Sequence, residues 1–224
     1  MDIGSKTAFS FNFLNNTINV TESVVVQWCA MIIIVDLALI ATRKLKKVPD
    51  KKQSIVELLV EIVNGLVKSN MGSKYKTYVP FIGTLVIYLS VLNLTGLIGV
   101  ETATKDFNVT GAFALVTFFL IQYNSIKKIG PGGYLKGFVK PFWPMLPMNL
   151  LERFTVPISL CLRLFINMLV GSIVMGLVYK GMGNFAFLIP IPLHAFFDMF
   201  DGIIQMFVFV MLTMVYVKMM AEEE

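Results

Sequence analysis

Charged residues are scarce in this chain, at 15% of its 224 residues, whereas 56% of them are hydrophobic. Because soluble domains carry roughly a quarter of charged residues, this balance excludes an ordinary soluble fold and indicates a membrane protein. Histidine occurs only once, so there is no metal-spaced histidine cluster. The sequence also lacks a Gly-x-Ser-x-Gly motif, and we expect no catalysis by the chain itself, no cofactor and no metal.

Basic residues are concentrated in two stretches. Of the 19 lysines and arginines, 13 fall within 43–76 and 127–140, beside apolar segments. This is the pattern of cytoplasmic loops in a membrane protein, and no nucleic-acid recognition motif accompanies it. It predicts a multi-pass protein with its N-terminus outside, its C-terminus in the cytoplasm and no nucleic-acid partner.

Hydropathy divides the chain into a polar N-terminal segment, 1–22, expected to be a tail or loop, and a single helical membrane domain, 23–224. The predicted fold of that domain is all-α, with about five membrane-spanning helices. Their predicted bounds are 23–42, 79–100, 111–126, 148–180 and 193–220.

Two features refine this prediction. In 52–70, apolar residues spaced by three and four alternate with Glu57, Glu61 and Lys68, which is typical of an amphipathic helix on the membrane surface. The segment 148–180 would form a helix of roughly 50 Å, whereas the hydrocarbon core is about 30 Å thick. Such a helix must tilt, bend at a proline or begin along the surface, and we expect the last two helices to be long and steeply tilted.

Arg163 stands among apolar residues, with no other charged side chain between Thr155 and Tyr179. A charge at this depth is unfavourable and usually marks an ion path or a binding partner. Glu152 lies roughly 16 Å away along a continuous helix, so the counter-charge must come from another helix or another chain. A structural pair with Asp36 or with an aspartate of the last helix is the alternative.

Polar side chains on the last two predicted helices complete a candidate ion path. Asn167 lies one helical turn after the arginine. Asp198, Asp201 and Gln205 would fall within about 60° of one another at an α-helical period, and Tyr216 continues the stripe. Carboxylates on an interior face suit an aqueous half-channel for protons or cations, with solvation of an exposed helix start as the alternative.

Four other side chains give a weaker indication of function. Asp36 lies within the first span, where an ion path and a satisfied interhelical hydrogen bond explain it equally well. His194 follows two prolines, and we interpret it as a loop histidine. Cys29 and Cys161 lie inside apolar segments, so we expect both thiols to be buried.

The segment LCLRLFINMLVG around Arg163 closely resembles the Leu-Arg-Leu-Phe-Gly-Asn-Met segment of ATP synthase subunit a. The last span, GIIQMFVFVMLTMVYVKMMAEE, resembles the end of the same family. Further matches in the same order and spacing cover nearly all of 43–222.

The resemblance implies the ion-translocating stator subunit of an F-type ATP synthase, which couples proton or sodium flow to ATP synthesis without catalysing it. The short N-terminal segment and the distribution of basic residues favour a bacterial plasma membrane as the location, with a plastid membrane as the alternative. The implied partners are the rotating c-ring, the b subunits of the peripheral stalk, membrane lipid, and either protons or sodium ions.

The resemblance also assigns roles to single residues. In the family, the arginine that matches Arg163 faces the ring, attracts each ring carboxylate and blocks a leak between two half-channels. Asn167 and Gln205 match polar positions near that arginine. Asp198 matches a position that relatives fill with glutamate or histidine.

Some positions depart from the family pattern. The usual partner of Asp198 is a glutamate or histidine, but the matching residue here is Ser172, which cannot titrate in a useful range. Asp201, one turn from Asp198, is expected to take over part of this task. Ile166 replaces the glycine that the family usually has before the asparagine matching Asn167.

Glu152 is a separate candidate. It lies at the predicted cytoplasmic start of its helix and is a candidate for the exit side of the ion path.

Three rival interpretations make different predictions. A self-contained channel or transporter would conduct when purified alone and would bring its own counter-charge for Arg163. A membrane enzyme would need catalytic motifs that are missing. A passive assembly scaffold predicts that replacing Arg163 harms assembly rather than coupling.

Overall fold

The computed structural model describes residues 7–13, 16–43, 46, 49–98, 102–138, 142–181 and 190–222. Within them the α-helices are α1 Glu22–Thr42, α2 Lys51–Asn70, α3 Val79–Leu94, α4 Phe107–Gly137, α5 Leu146–Gly181, α6 Pro190–His194 and α7 Gly202–Glu222. Shorter 3₁₀ turns cover Ser73–Tyr78, Thr95–Ile98, Ala103–Lys105 and Trp143–Met145. A π-helical stretch, Ala195–Asp201, joins α6 to α7.

Five helical stretches are long and apolar enough to cross a membrane, namely Glu22–Thr42, Ser73–Leu94, Phe107–Tyr134, Leu146–Gly181 and Pro192–Met220. This confirms the prediction of an all-α membrane fold with five spans. With its 36 residues, α5 is roughly 54 Å long and exceeds the roughly 30 Å of a hydrocarbon core. A helix of this length fits the membrane only if it tilts strongly or projects beyond it.

The N-terminal segment forms a β-hairpin instead of the expected tail or loop. Strands β1, Thr7–Phe13, and β2, Asn16–Thr21, pair in antiparallel fashion. β1 alternates β-branched or aromatic residues with small or polar ones, and β2 is rich in β-branched residues, which favours strand formation. The hairpin leads directly into α1, so it sits at one end of the helical bundle.

Asp106 lies in a packed turn between the second and third spans. The carboxylate is buried, at 7% exposure. Its Oδ2 accepts a hydrogen bond from Thr21 Oγ1 at 3.2 Å, and its Oδ1 accepts one from the backbone N–H of Asn108 at 3.0 Å. Asp106 therefore caps α4 and ties the hairpin to it.

The basic segment after the third span is helical, whereas its glycines and proline predict a loop. Lys127 and Lys128 are exposed on α4, which continues to Gly137 with a bend at Gly130. Gly130 has a φ of +79°, a conformation that glycine adopts without steric cost. Beyond the bend the chain folds back, and Tyr134 Oη donates a hydrogen bond to Gln122 Oε1 at 2.7 Å. Several charges predicted at the ends of the spans lie outside the described residues: Lys44, Lys47, Glu101, Lys140, Glu223 and Glu224.

The last helix packs at the centre of the bundle, mainly against α3 and α4. Polar side chains of α4 secure this packing by bonding to backbone oxygens of α7. Asn124 Nδ2 donates to the oxygen of Val217 at 3.1 Å, and Ser125 Oγ donates to that of Met220 at 2.8 Å. In an apolar medium such interhelical bonds help hold the helices in register.

α5 packs antiparallel to α4. The ring centroids of Phe107 and Phe165 lie 5.6 Å apart, and those of Phe118 and Phe154 lie 6.0 Å apart. The two contacts fix the depth of the middle of α5 relative to α4. Another face of α5 is exposed in the described part of the structure.

The two cysteines differ in their surroundings. Cys161 on α5 is buried, as predicted, but Cys29 on α1 is exposed. The prediction is wrong for Cys29 because α1 packs loosely, and in this fully described helix only Ala30 is buried.

α2 has the amphipathic character that the sequence predicts. Val63 and Val67 are buried against the bundle. A second apolar stripe on the same helix is exposed, formed by Ile55, Leu58, Leu59 and Ile62. A helix with one face on the bundle, one apolar exposed face and a charged face fits the boundary between bundle, lipid and water.

A close contact between α3 and α7 occurs at Gly202, where α7 begins. Asn93 Nδ2 donates a hydrogen bond to the Gly202 oxygen at 2.9 Å, and a Cβ placed on Gly202 would lie 3.0 Å from Asn93 Cβ. Asn93 is itself buried, and its Oδ1 accepts a bond from Thr104 Oγ1 at 3.4 Å. The glycine therefore permits a backbone approach that any side chain would disturb.

We expect Gly202→Ala to destabilise the protein by about 1–3 kcal/mol, the usual cost of overpacking a filled interior. Thermal unfolding of the detergent-solubilised protein, followed by circular dichroism, measures this effect. Gly111→Ala on α4 is the matched control, because a Cβ there meets nothing within 4 Å. Equal melting temperatures for the two variants would contradict the prediction.

Candidate functional site

Arg163 lies on an exposed face of α5. Its side chain lines an open groove of about 510 Å³ whose other lining residues belong to the same helix: Thr155, Ile158, Ser159, Leu162, Ile166 and Asn167. Their spacing of three and four residues places them on one face. The groove thus presents one permanent positive charge on a surface that is otherwise apolar or weakly polar.

No carboxylate of the described part of the chain neutralises Arg163. Among the side chains that the structure describes, its guanidinium takes part in no ion pair and no hydrogen bond. Glu152 is exposed near the start of α5, and Asp36 is exposed on α1. The alternative of a structural pair between Arg163 and Asp36 is therefore not observed.

One turn beyond Arg163, Asn167 connects α5 to the last part of the chain. Its Nδ2 donates to Asp201 Oδ1 at 3.0 Å and to Gln205 Oε1 at 3.3 Å. Gln205 is 4% exposed, and its Nε2 has no hydrogen-bond partner in the described residues. We call Asn167, Asp201 and Gln205 the amide–carboxylate cluster. Because hydrogen bonds are stronger in a low-dielectric surrounding, they hold this cluster firmly beside the arginine.

The stretch that carries the two candidate aspartates is π-helical, from Ala195 to Asp201. Its turns contain more residues than α-helical turns, because the hydrogen bonds run from i to i+5. The predicted stripe assumed an α-helical period, so it does not apply between Asp198 and Asp201. The side chain of Asp198 lies outside the part of the structure that is described. π-helical turns occur frequently at functional sites.

The other predicted ion-path residues are not hydrogen-bonded to the cluster within the described residues. Ser172 is half-buried, and its Oγ donates to the backbone oxygen of Leu169 at 2.8 Å. Tyr216 is half-buried against the hydrophobic core. Glu152 lies eleven residues before the arginine on α5.

His194 lies at the end of helix α6, which corrects its interpretation as a loop histidine. Its Nε2 is 3.0 Å from Tyr179 Oη, and the two ring centroids are 5.9 Å apart. This contact joins the end of α5 to α6. It therefore helps to position the π-helical stretch that follows.

Arg153 is a buried charge that the sequence patterns do not reveal. It is 5% exposed, and its guanidinium carbon lies 4.6 Å from the ring centroid of Tyr134 and 4.3 Å from that of Phe138. A desolvated cation–π contact contributes about 2 kcal/mol. Its neighbour Glu152 made this region look like an exposed helix start. The aromatic residues after the bend of α4 were the available signal.

These features define a class of protein. Five apolar helices form a membrane bundle, and a long helix exposes an arginine on an apolar face beside the amide–carboxylate cluster. A multi-pass membrane protein of this kind needs a counter-charge from outside the described chain, because an isolated charge in hydrocarbon is unfavourable.

Comparison with known sequences shows to which family the chain belongs. The family model for the ATP synthase A chain matches residues 24–218, and the chain belongs to the ATP synthase subunit a family. It is 33% identical over 215 residues to ATP synthase subunit a, sodium ion specific, of Propionigenium modestum, which covers 89% of this chain and 73% of the relative. It is 35% identical over 199 residues to ATP synthase subunit a 2 of a Bradyrhizobium species, and the match covers 88% of this chain and 87% of the relative. It is 34% identical over 201 residues to ATP synthase subunit a of Moorella thermoacetica, and that match covers 89% of this chain and 90% of the relative.

Family membership confirms the resemblance that the segments around Arg163 and in the last span indicate. The family is that of a membrane-sector subunit of the ATP synthase, which is not itself the catalytic part.

Proposed function

We propose that this chain is the ion-translocating stator subunit of an F-type ATP synthase and works against a rotating ring of c subunits. The observation that carries the proposal is the exposed Arg163 without a counter-charge in the described residues. A carboxylate on each ring subunit, passing along the groove, would supply that charge. The family of the chain supports the same conclusion.

Ions would reach the ring through one of two aqueous half-channels. In this proposal Asp198, Asp201 and Gln205 line the outer half-channel, together with Asn167. Support comes from the hydrogen bonds that join three of these residues, and from the Gln205 amide hydrogens, which no described residue accepts. Because this amide is buried, a water molecule held within the cluster would have to accept those hydrogens.

The remaining candidates are assigned to other parts of the proposed ion path. Ser172 would line the outer route at a polar position that does not carry charge, and Tyr216 would continue the polar stripe along the last helix. Glu152 would lie on the exit side. This arrangement assumes an outer N-terminus and a cytoplasmic C-terminus in a bacterial plasma membrane, as the basic segments indicate.

Torque would follow from the cost of moving charge into lipid. A ring carboxylate can pass Arg163 while ionised, because the guanidinium compensates its charge. It can enter the surrounding hydrocarbon only after it binds an ion, since a bare carboxylate there is strongly unfavourable. Arg163 would therefore force each ring site to release its ion on one side and to load on the other.

Protons and sodium ions both fit this scheme. One relative is described as sodium ion specific, and the ring would supply most of the ion-binding site. The other proposed partners are the b subunits of the peripheral stalk and membrane lipid.

A reversible cross-link between the groove and the ring tests the proposal. We expect Leu162→Cys, in a chain with Cys29→Ser and in a complex with a cysteine on the outer face of the ring, to form a disulfide on oxidation. ATP-driven pumping should then stop and return on reduction, because the link locks rotor to stator. Leu162 is 41% exposed in the groove.

Leu115→Cys on α4 is the matched control, since it is 57% exposed but lies on another helix. It should give no link to the ring and no change in pumping. A link from Leu115 as efficient as that from Leu162, or none from Leu162, would contradict the proposed ring-facing surface.

A further inference from the structure

α2 connects two spans on the same side of the membrane. The first span ends at Thr42 and the next begins at Ser73, so the helix between them starts and ends at one membrane surface. α2 contacts α1, α3 and α7, and its amphipathic sequence suits a helix at a surface rather than a span. It therefore lies where lipid headgroups meet the bundle.

The exposed apolar stripe of α2 points away from both the bundle and the charged face. At 3.6 residues per turn, its centre lies roughly 110° around the helix from the buried residues Val63 and Val67. It lies roughly 130° from Glu57 and Glu61, which are exposed. The stripe consists of Ile55, Leu58, Leu59 and Ile62, each about half exposed. This third face of α2 is the one directed towards lipid.

Two lysines stand at the head of this stripe. Lys51 precedes Ile55 by four residues and Leu58 by seven, so these side chains share one face. Lys52 likewise precedes Ile55 by three residues and Leu59 by seven. Both lysines are exposed, and neither forms an ion pair within the described residues. Their stems can follow the apolar stripe while their ammonium groups reach the headgroup level.

Positive charge accumulates at the start of α2. Its first turn contains no acidic residue, and the side chain of Asp50 does not cap the helix. The Asp50 carboxylate instead accepts a hydrogen bond from Lys46 Nζ at 2.8 Å. A helix N-terminus carries partial positive charge and disfavours further cations. Arg43, at the end of α1, is exposed as well and adds to the positive charge on this side. An anionic partner would offset this accumulation.

Hydrogen bonds order the corner between α1 and α2. Lys46 donates its backbone N–H to Gln53 Oε1 at 3.0 Å, and Gln53 Nε2 donates to the Lys46 oxygen at 3.0 Å. Gln53 Nε2 also donates to Glu57 Oε1 at 2.8 Å, on the charged face. Because the corner is already ordered, a partner that binds there loses little affinity to backbone ordering.

We propose that this corner and the apolar stripe together bind anionic phospholipids. The phosphate-bearing headgroups would lie at Lys51, Lys52 and Arg43, with acyl chains along the stripe. Charge complementarity selects the lipid class, because basic side chains at a membrane surface attract anionic headgroups. The stripe selects a lipid over a soluble anion, since a soluble anion would leave the apolar surface uncovered.

This surface is separate from the groove around Arg163, which belongs to α5. The inference does not rest on the proposed role of Arg163 against the ring.

Quenching by brominated lipids tests the inference on the full chain. Leu58→Trp, with Trp28→Phe and Trp143→Phe, leaves a single tryptophan on the stripe. The chain would be reconstituted in phosphatidylcholine vesicles that contain a fixed minor fraction of brominated phosphatidylglycerol or brominated phosphatidylcholine. We expect the brominated phosphatidylglycerol to bind beside this tryptophan roughly 5- to 30-fold more strongly, the size expected of one or two basic residues.

Removing the two lysines should abolish this preference. In the same background, Lys51→Gln with Lys52→Gln is expected to bring the two lipids to nearly equal quenching. The matched control is Lys68→Gln with Lys180→Gln, which removes the same charge from exposed lysines away from the stripe and should leave the preference unchanged. Raised salt should weaken the preference, because it screens exposed charges. Circular dichroism verifies that each variant is folded.

Photo-cross-linking identifies the occupant in the assembled complex. A benzophenone amino acid at Leu59 in native membranes should yield a phospholipid adduct that is enriched in anionic lipid relative to the whole membrane. Three outcomes would overturn the inference: equal quenching by the two lipids, a preference that both double variants lower alike or leave unchanged, or an adduct mainly with a polypeptide. None of these readouts depends on ion flow, so they stand apart from the pumping experiments on Arg163.

Discussion

Replacing Arg163 with alanine is expected to reduce ATP-driven ion pumping in inverted membrane vesicles to background, while the complex remains assembled on a native gel. The side chain is exposed and contacts no carboxylate of the described chain. Its removal therefore leaves packing within the bundle intact. It takes away the charge that compensates a passing ring carboxylate, and without that charge an ionised carboxylate cannot cross the groove.

Two variants at the same place sharpen this experiment. Leu162→Ala removes a neighbouring groove side chain of 41% exposure but no charge, so pumping should stay near the wild-type rate. Arg163→Lys keeps the charge but loses the planar guanidinium with its five donors, so pumping should fall to an intermediate rate. Loss of assembled complex in Arg163→Ala would favour the passive scaffold instead.

The second large effect is expected at the amide–carboxylate cluster. Asp201→Leu removes the acceptor of an Asn167 hydrogen bond of 3.0 Å. Within the described residues, Asn167 then keeps only its 3.3 Å bond to Gln205. The loss of the bond to the carboxylate costs about 1–3 kcal/mol, which corresponds to a roughly 5- to 150-fold fall in pumping rate if the cost falls on transport. Pumping rates per assembled complex measure the effect.

The comparison with Asp201→Asn separates two roles of this carboxylate. Asparagine keeps an oxygen acceptor for Asn167 but cannot bind or release a proton. If Asp201 carries ions, both variants should pump poorly, whereas Ile204→Ala, at an exposed site of α7, should pump normally. Near-normal pumping in Asp201→Asn would show that the carboxylate only positions Asn167.

The membrane spans could be predicted from hydropathy because burial in lipid demands long runs of apolar residues. Hydropathy did not predict several local features of the backbone. Glycine and proline after Lys128 predict a loop, yet Gly130 permits a bend between helical stretches. The sequence also did not predict the hairpin or the packed turn before Asp106, because both depend on contacts between distant segments, such as the Thr21–Asp106 hydrogen bond.

The candidate site likewise contains residues that the sequence reveals and contacts that it does not. Arg163 is evident from the sequence because a single charge in an apolar run is conspicuous. That Asn167 bonds to both Asp201 and Gln205 depends on how α5 meets the last helix, and helical periods on one chain segment cannot give such a contact. The buried Arg153 escaped for a related reason, since aromatic rings from beyond a bend in α4 cover it.

The most direct test of the central claim, that Arg163 separates two half-channels, is the passive ion conductance of vesicles carrying the Arg163→Ala complex. Ion flux down an imposed gradient would be measured without ATP, beside wild-type vesicles with equal amounts of complex. We expect the variant to leak ions while the wild type does not, because an uncharged groove lets a ring carboxylate exchange ions with both sides. Conductance equal to that of the wild type, together with retained ATP-driven pumping, would contradict the account and make Arg163 a structural residue.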